Sequence, residues 1–138
     1  KRWLMENPPR PILPAARHAD AVLFWPMLAF VLWGQLQPNV PNALYEINDK
    51  LLHFMAYFVL GAMAGGAIRR RGRVKWAILG LIAVGAAIEI FQAQVGRETS
   101  LLDGVANGSG AIAGALLARF VLDPLRERWG YDSDAPPT

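Results

Sequence analysis

Four apolar segments, at about residues 20–37, 49–68, 74–95 and 101–122, constrain the fold of this chain more than any other feature. The third segment contains the uninterrupted apolar run AILGLIAVGAAI at 77–88. A helix that crosses a bilayer needs about 20 mostly apolar residues, and the last three segments have that length. The first segment has a shorter apolar core and is assigned as a span because of its neighbours. The sequence therefore predicts an all-α fold, an integral membrane four-helix bundle.

Basic residues divide unequally between the connections of these helices. If the helices cross the membrane in turn, 12 of the 14 Lys and Arg fall on one side, and Lys50 and Arg97 fall on the other. The positive-inside rule then places both termini in the cytoplasm. The predicted organisation is a cytoplasmic or interfacial arm at 1–19, a four-helix domain at 20–122 and a cytoplasmic tail at 123–138. Because this topology accounts for the pI near 9.7, no nucleic-acid partner is expected.

Polar residues within the apolar segments gather at the predicted outer ends of the helices. Such residues are expensive in a bilayer and usually face a protein interior or a cavity. The set comprises Asp49, Lys50, His53 and Tyr57 of the second segment, Glu89 and Gln92 of the third, and Arg97, Asp103 and Asn107 of the last turn and the fourth segment. Because successive helices alternate in direction, we predict that these residues line one ligand-binding pocket at the outer membrane surface.

Structural roles are open for most of this set. The alternatives are helix capping for Asp49 and Asp103, contact with lipid head groups for Lys50 and Arg97, a tie between helices for Gln92, and an interfacial position for His53 and Tyr57. Glu89 is the hardest to explain structurally, because it follows the long apolar run and needs a partner in hydrocarbon. His53, Lys50 or Arg97 could supply that partner, and we predict that Arg97, in the turn that follows, is coupled to Glu89 directly or through a bound anion or water.

Small residues predict that the fourth helix is central in the bundle. Helical spacing places Asp103, Asn107, Gly110 and Gly114 on one face. Gly104 and Gly108 lie on a second face beside it, and small residues allow helices to approach closely in membranes. We therefore predict that the fourth helix contacts the second and third helices through these two faces.

The chemistry of the set suits an anionic ligand or proton transfer. Lys50 and Arg97 could hold a phosphate, and His53 beside carboxylates could act as an acid or base near neutral pH. The candidate catalytic residues are His53, Glu89 and Asp103. Asp, His, Glu and Asn side chains could also bind a divalent cation, but their spacing matches no metal-binding motif. The chain has no cysteine, which excludes a thiolate metal site. No metal ligands and no cofactor are assigned, and the sequence does not decide whether a divalent cation binds.

With these residues placed, the chain resembles the VanZ-like family of small bacterial membrane proteins, named for an accessory protein of teicoplanin-resistance clusters. The family pattern is D-K-x-x-H-x-x-x-Y, then E-x-x-Q, then G-R-x-x-x-x-x-D-x-x-x-N-x-x-G-x-x-x-G. Its positions are matched by Asp49, Lys50, His53, Tyr57, Glu89, Gln92, Gly96, Arg97, Asp103, Asn107, Gly110 and Gly114. The resemblance covers about residues 49–118 and implies a multi-pass protein of the bacterial cytoplasmic (inner) membrane. It implies no particular reaction.

The leading hypothesis is an envelope membrane protein whose outward-facing pocket recognises an amphiphile. Membrane lipids are the expected partners, and the ligand would be a lipid-linked phosphate, a glycolipid or a lipoglycopeptide antibiotic such as teicoplanin. The alternative is a membrane enzyme acting on a lipid phosphate or lipid-linked glycan, with His53 as the acid/base. A proton-coupled carrier using Glu89 and His53 ranks third, because four short helices leave little room for a solute path. The sequence decides neither the oligomeric state nor whether a reaction is catalysed.

Overall fold

The computed structural model describes residues 12–37, 45–68, 70–94 and 100–132, and these are almost entirely helical. Helix α1 is Ile12–Gln35, α2 is Tyr45–Ala67, α3 is Arg71–Gln94 and α4 is Leu101–Leu117. A π-helical turn, Ala118–Leu122, joins α4 to α5, which is Asp123–Asp132. The described residues contain no strand. The predicted all-α fold is confirmed.

Four of these helical stretches are long and apolar enough to cross a membrane, namely Ala15–Gln35, Asp49–Ala67, Gly72–Gln94 and Leu101–Arg128. Large apolar side chains cover their outer surfaces, including Trp25, Trp33, Phe91 and Phe120, each at least 59% exposed. A soluble domain rarely exposes so many large apolar side chains, whereas lipid tails would cover them. Four helices able to span a membrane and an apolar outer surface together suggest a multi-pass membrane protein.

Contacts between helix ends show that successive helices run in opposite directions. Gln92, near the end of α3, donates a hydrogen bond to the carbonyl of Gln35 at the end of α1. His53, early in α2, contacts Asn107, early in α4. At the other end of the bundle, Arg17 of α1 lies 3.3 Å from Asp123 of α5. The start of α1 and the whole of α5 thus lie at the same end, as the predicted topology requires.

Helix α4 packs most closely against α2, along glycines of both helices. A Cβ atom added to Gly110 would collide with the carbonyl oxygen of Phe54, and one added to Gly114 with that of Phe58. From the opposite side, a Cβ on Gly61 would collide with the carbonyl oxygen of Ala111. The prediction that Gly110 and Gly114 form the close contact of α4 is confirmed, because no side chain fits between the two backbones.

The second predicted glycine face of α4 is only partly correct. A Cβ on Gly108 would lie 3.8 Å from the Ile82 side chain of α3, which is an ordinary contact. A Cβ on Gly104 would meet nothing within 4 Å, so the predicted packing role of Gly104 is wrong. Helix α4 reaches α3 through side chains rather than through close backbone approach.

Several helix boundaries differ from those predicted. Helix α1 starts at Ile12, well before the predicted start at about residue 20. Helix α2 starts at Tyr45, which excludes a capping role for Asp49. Ser100 caps α4, because its side chain accepts a hydrogen bond from the backbone N–H of Leu102, and Asp103 lies in the first turn. The alternative of N-capping is therefore excluded for Asp49 and Asp103, although Asp103 does lie in the first turn of α4, where the helix dipole favours an acid.

A cluster of ion pairs closes the end of the bundle where α1 begins. We call it the terminal ion cluster, and it comprises Arg17, Asp20, Arg119, Asp123 and Arg126. Asp123 lies 3.3 Å from Arg17 and 3.1 Å from Arg119, while Arg126 lies 2.8 Å from Asp20. Arg119 also donates to the carbonyl of Ile68 at the end of α2. These arginines were predicted to reflect topology alone, and their pairing with Asp20 and Asp123 was not predicted.

Candidate functional site

His53 and Asn107 form the buried centre of a polar cluster at the other end of the bundle. Nδ1 of His53 lies 3.0 Å from Oδ1 of Asn107, and the two residues are 4% and 1% exposed. An amide oxygen only accepts hydrogen bonds, so Nδ1 of His53 is the donor. In the neutral imidazole, Nε2 then carries the lone pair. Nε2 lies 3.9 Å from Oδ1 of Asp49, one helical turn earlier.

A second acid enters the cluster from α4. Asp103 is 5% exposed, and its Oδ1 has no hydrogen-bond partner. Nζ of Lys50 lies 3.7 Å from that oxygen, so the two form an ion pair beyond ordinary hydrogen-bond length. The Lys50 side chain is 35% exposed and can turn outward. Lys50 is therefore the movable group here, whereas Asp103 and His53 are held by the packing of α2 on α4.

Helix α3 contributes the inner wall of the polar cluster. A Cβ on Gly85 would lie 3.2 Å from both Nδ2 of Asn107 and Oη of Tyr57, so the glycine leaves space for these polar atoms. Tyr57 is fully buried and lies within electrostatic reach of Glu89. Both carboxylate oxygens of Glu89 are shielded from solvent. Glu89 thus faces the protein interior, as its position after an apolar run predicts.

A cleft of about 220 Å³ between α1 and α2 leads to this cluster. Its lining is apolar at Phe30, Val31 and Ala56 and polar at Gln35, Asp49 and His53, nearer the ends of α1 and α2 that carry the polar cluster. The lining residues are Phe30, Val31, Gly34, Gln35, Asp49, Leu52, His53 and Ala56. The cleft therefore offers an apolar wall beside a polar end.

The structure brings several of the predicted site residues into contact, but of this set only Asp49 and His53 line the described cleft. Asp49, Lys50, His53 and Tyr57 of α2 meet Asp103 and Asn107 of α4, and Glu89 and Gln92 come from α3. Because His53 and Tyr57 are buried, an interfacial position for them is wrong. Gln92 ties α3 to α1 through Gln35, which was one of its two predicted roles. Arg97 lies outside the described residues, so its predicted pairing with Glu89 stays a prediction.

The contribution of α1 was missed by sequence analysis. Gln35 is 7% exposed, and with Phe30, Val31 and Gly34 it forms one wall of the cleft. The sequence does contain a pattern that could have predicted this wall. Gly34 and Gln35 interrupt an apolar segment at the same end of the bundle as the other polar residues. The segment matches no part of the VanZ-like pattern, so the resemblance did not point to it.

Comparison of the chain with protein-family models, with curated proteins and with solved structures gives no match.

Proposed function

We propose that this chain is a VanZ-like protein of the bacterial inner membrane whose polar cluster, on the outer side, recognises the head group of an amphiphile. The observation that carries the proposal is the cleft between α1 and α2, which is apolar along Phe30 and Leu52 and ends at Asp49 and His53. An amphiphile has the same division, with an apolar chain attached to a polar head. The membrane would deliver such a ligand to a cleft in the side of the bundle.

The size of the cleft favours a lipid over a bulky antibiotic. Pockets that enclose a drug-sized molecule have volumes of roughly 300–1,000 Å³. A cleft of about 220 Å³ accommodates a small head group and the first part of a chain. A lipoglycopeptide such as teicoplanin would have to leave its peptide core outside and insert its acyl chain. A lipid-linked phosphate or a glycolipid fits the proposal better.

The charges in the cluster restrict how an anionic head could bind. Among the described residues, the cluster holds three carboxylates, Asp49, Glu89 and Asp103, and one ammonium group, that of Lys50. The hydroxyls of a glycan can donate hydrogen bonds to such carboxylates. A phosphate needs positive charge beside it, and Lys50 can supply part of this because its side chain is partly exposed.

Filling the cleft tests the proposal. Gly34→Leu places a side chain in the cleft, and a Cβ there meets nothing within 4 Å, so the helix tolerates it. We expect this variant to retain at least about tenfold less bound phosphatidic acid than the unmodified chain. The amount would be measured by native mass spectrometry of the detergent-purified protein. Diacylglycerol, which lacks the phosphate, separates head-group recognition from binding of the acyl chains.

Gly80→Leu is the matched control, because a Cβ on Gly80 of α3 also meets nothing within 4 Å and Gly80 is outside the cleft. It should retain the lipid as the unmodified chain does. Equal retention by the Gly34→Leu and Gly80→Leu variants would contradict binding in the cleft. Equal retention of phosphatidic acid and diacylglycerol by the unmodified chain would contradict recognition of a phosphate head group.

One observation favours an enzyme as the second candidate. The Asn107 contact leaves Nε2 of His53 as the basic nitrogen, and this atom faces Asp49 at the polar end of the cleft. An imidazole in that position can take up a proton from a hydroxyl or water bound in the cleft. Turnover separates the two functions, because an enzyme changes the head-group composition of added lipid and a binding protein leaves it unchanged.

A further inference from the structure

Three atoms of the kinds that bind metals converge at the polar end of the cleft. One ligand atom each from Asp49, His53 and Asp103 lies within 4.8 Å of the other two. A point equidistant from three atoms at that spacing lies about 2.8 Å from each. Bonds from Zn²⁺ to imidazole and carboxylate are roughly 2.0–2.2 Å long, so side-chain movements of less than about 1 Å would bring the atoms into place.

Asn107 orients the His53 ring in the way that metal-binding histidines are usually oriented. Histidines that bind metals almost always donate their second ring N–H to a carboxylate or a carbonyl, which fixes the tautomer and the ring orientation. Here Nδ1 donates to Oδ1 of Asn107 at 3.0 Å, and Nε2 faces Asp49. Asn107 is 1% exposed and packed against Gly85, so its orientation is itself constrained.

Asp103 is a buried acid whose charge is only partly balanced. Its Oδ1 is buried, lacks a hydrogen-bond donor and lies in the cluster. A buried carboxylate oxygen without a donor is unfavourable unless a cation balances it. Lys50 at 3.7 Å balances it only in part, and Asp49 adds further negative charge beside it.

The geometry points to a divalent cation site formed by Asp49, His53 and Asp103, with Asn107 orienting the histidine. One imidazole nitrogen and two carboxylate oxygens suit a transition cation such as Zn²⁺ or Mn²⁺. Mg²⁺ and Ca²⁺ prefer sites made of oxygen atoms alone. Lys50 would release Asp103 when the ion binds, because its side chain is partly exposed.

The cation would place positive charge beside the buried carboxylate of Asp103. Three protein ligands would leave one position open on a four-coordinate ion. Because Asp49 and His53 both line the cleft, a ligand in the cleft could reach that position. A phosphate oxygen of a lipid could take that position, so an acid-rich cluster becomes an anion-binding one. This bridging role rests on the proposed function, whereas the binding of the ion does not.

Zinc binding by the full-length protein tests the site. The protein would be purified in detergent with an affinity tag that lacks histidine, then titrated calorimetrically with Zn²⁺ and analysed for bound metal. We expect one Zn²⁺ per chain. Removing a residue that orients a metal ligand typically weakens metal binding 10- to 100-fold, so we expect this loss for Asn107→Ala. Asp103→Asn removes a ligand itself and should weaken binding more than about 100-fold. Asp20→Asn, the same change in the terminal ion cluster, should bind Zn²⁺ as the unmodified chain does.

Saturable Zn²⁺ binding that Asp103→Asn leaves unchanged would overturn the site. So would the absence of saturable binding below about 100 µM in the unmodified chain. Asp49→Asn repeats the test if Asp103→Asn does not fold. Phosphatidic acid retention with and without EDTA separates the two proposals. Retention that persists with EDTA, in a chain that binds Zn²⁺, would overturn the bridging role alone. Retention by a chain that binds no Zn²⁺ would overturn the metal site and support the lipid function.

Discussion

Gly114→Leu is expected to abolish the packing of α2 against α4. A Cβ on Gly114 would collide with the carbonyl oxygen of Phe58 and lie 2.7 Å from the backbone nitrogen of Ala62. Neither backbone atom can move without moving a helix, so the loss of folding free energy should be about 1–3 kcal/mol or more. The helices themselves should persist, because each satisfies its own backbone hydrogen bonds. Circular dichroism should therefore remain helical while cooperative thermal unfolding is lost.

Gly104→Leu is the matched control on the same helix, since a Cβ there meets nothing within 4 Å. It should unfold at nearly the same temperature as the unmodified chain. If the Gly114→Leu variant unfolds as cooperatively and at the same temperature as the Gly104→Leu variant, the close contact between α2 and α4 is not what holds the bundle together.

Asp123→Ala should be the most damaging single change in the terminal ion cluster. Asp123 is 6% exposed and lies within 4.0 Å of Arg17, Arg119 and Arg126. Removing one partner of a buried ion pair typically costs about 3–5 kcal/mol, because the remaining charge is left uncompensated. The loss would be measured as a lower unfolding temperature in detergent. Glu127→Ala, an exposed acid on the same helix, should change stability by less than about 0.5 kcal/mol.

The double variant Arg119→Ala with Asp123→Ala provides the second test of this cluster. Because the two groups interact directly, the double variant should lose less stability than the sum of the two single losses. Additive losses would show that Arg119 and Asp123 act independently and that the cluster is not a coupled unit.

The α2–α4 contact and its polar end could be predicted because residue types and helical spacing were sufficient for both. Gly110 and Gly114 share a face with Asp103 and Asn107 at steps of three and four residues, so one contact accounts for all four. Burial of Glu89 followed from the cost of a carboxylate in hydrocarbon. In both cases the physical cause acts along a single helix and can be seen in the sequence.

The features that were missed depend on which residues meet across helices. Asp20 pairs with Arg126, which is 106 residues later, and no pattern within either helix reveals this. The wall that Gln35 contributes to the cleft depends on how α1 lies against α2. The potential metal ligands Asp49, His53 and Asp103 likewise come together only when α4 lies beside α2, because no single helix contains a metal-binding motif.

The two polar regions lie at opposite ends of the bundle, and tight packing separates them. Gly61 and Gly114 place the α2 and α4 backbones in direct contact between the polar cluster around His53 and the terminal ion cluster. This contact fills the space along the α2–α4 interface that a solute would need. Among the described residues, the α2–α4 interface therefore offers no path for a solute.

Thiol labelling in intact cells tests the central claim most directly, because the chain has no cysteine of its own. The claim is that the cleft opens on the outer side and binds a lipid phosphate. We predict that Gly34→Cys, in the cleft, reacts with a membrane-impermeant maleimide in intact cells. Added short-chain phosphatidic acid should slow that reaction. Glu127→Cys, at the other end of the bundle, should react only after permeabilisation. Labelling of Glu127→Cys but not Gly34→Cys in intact cells, or labelling of Gly34→Cys at the same rate with and without the lipid, would contradict the account.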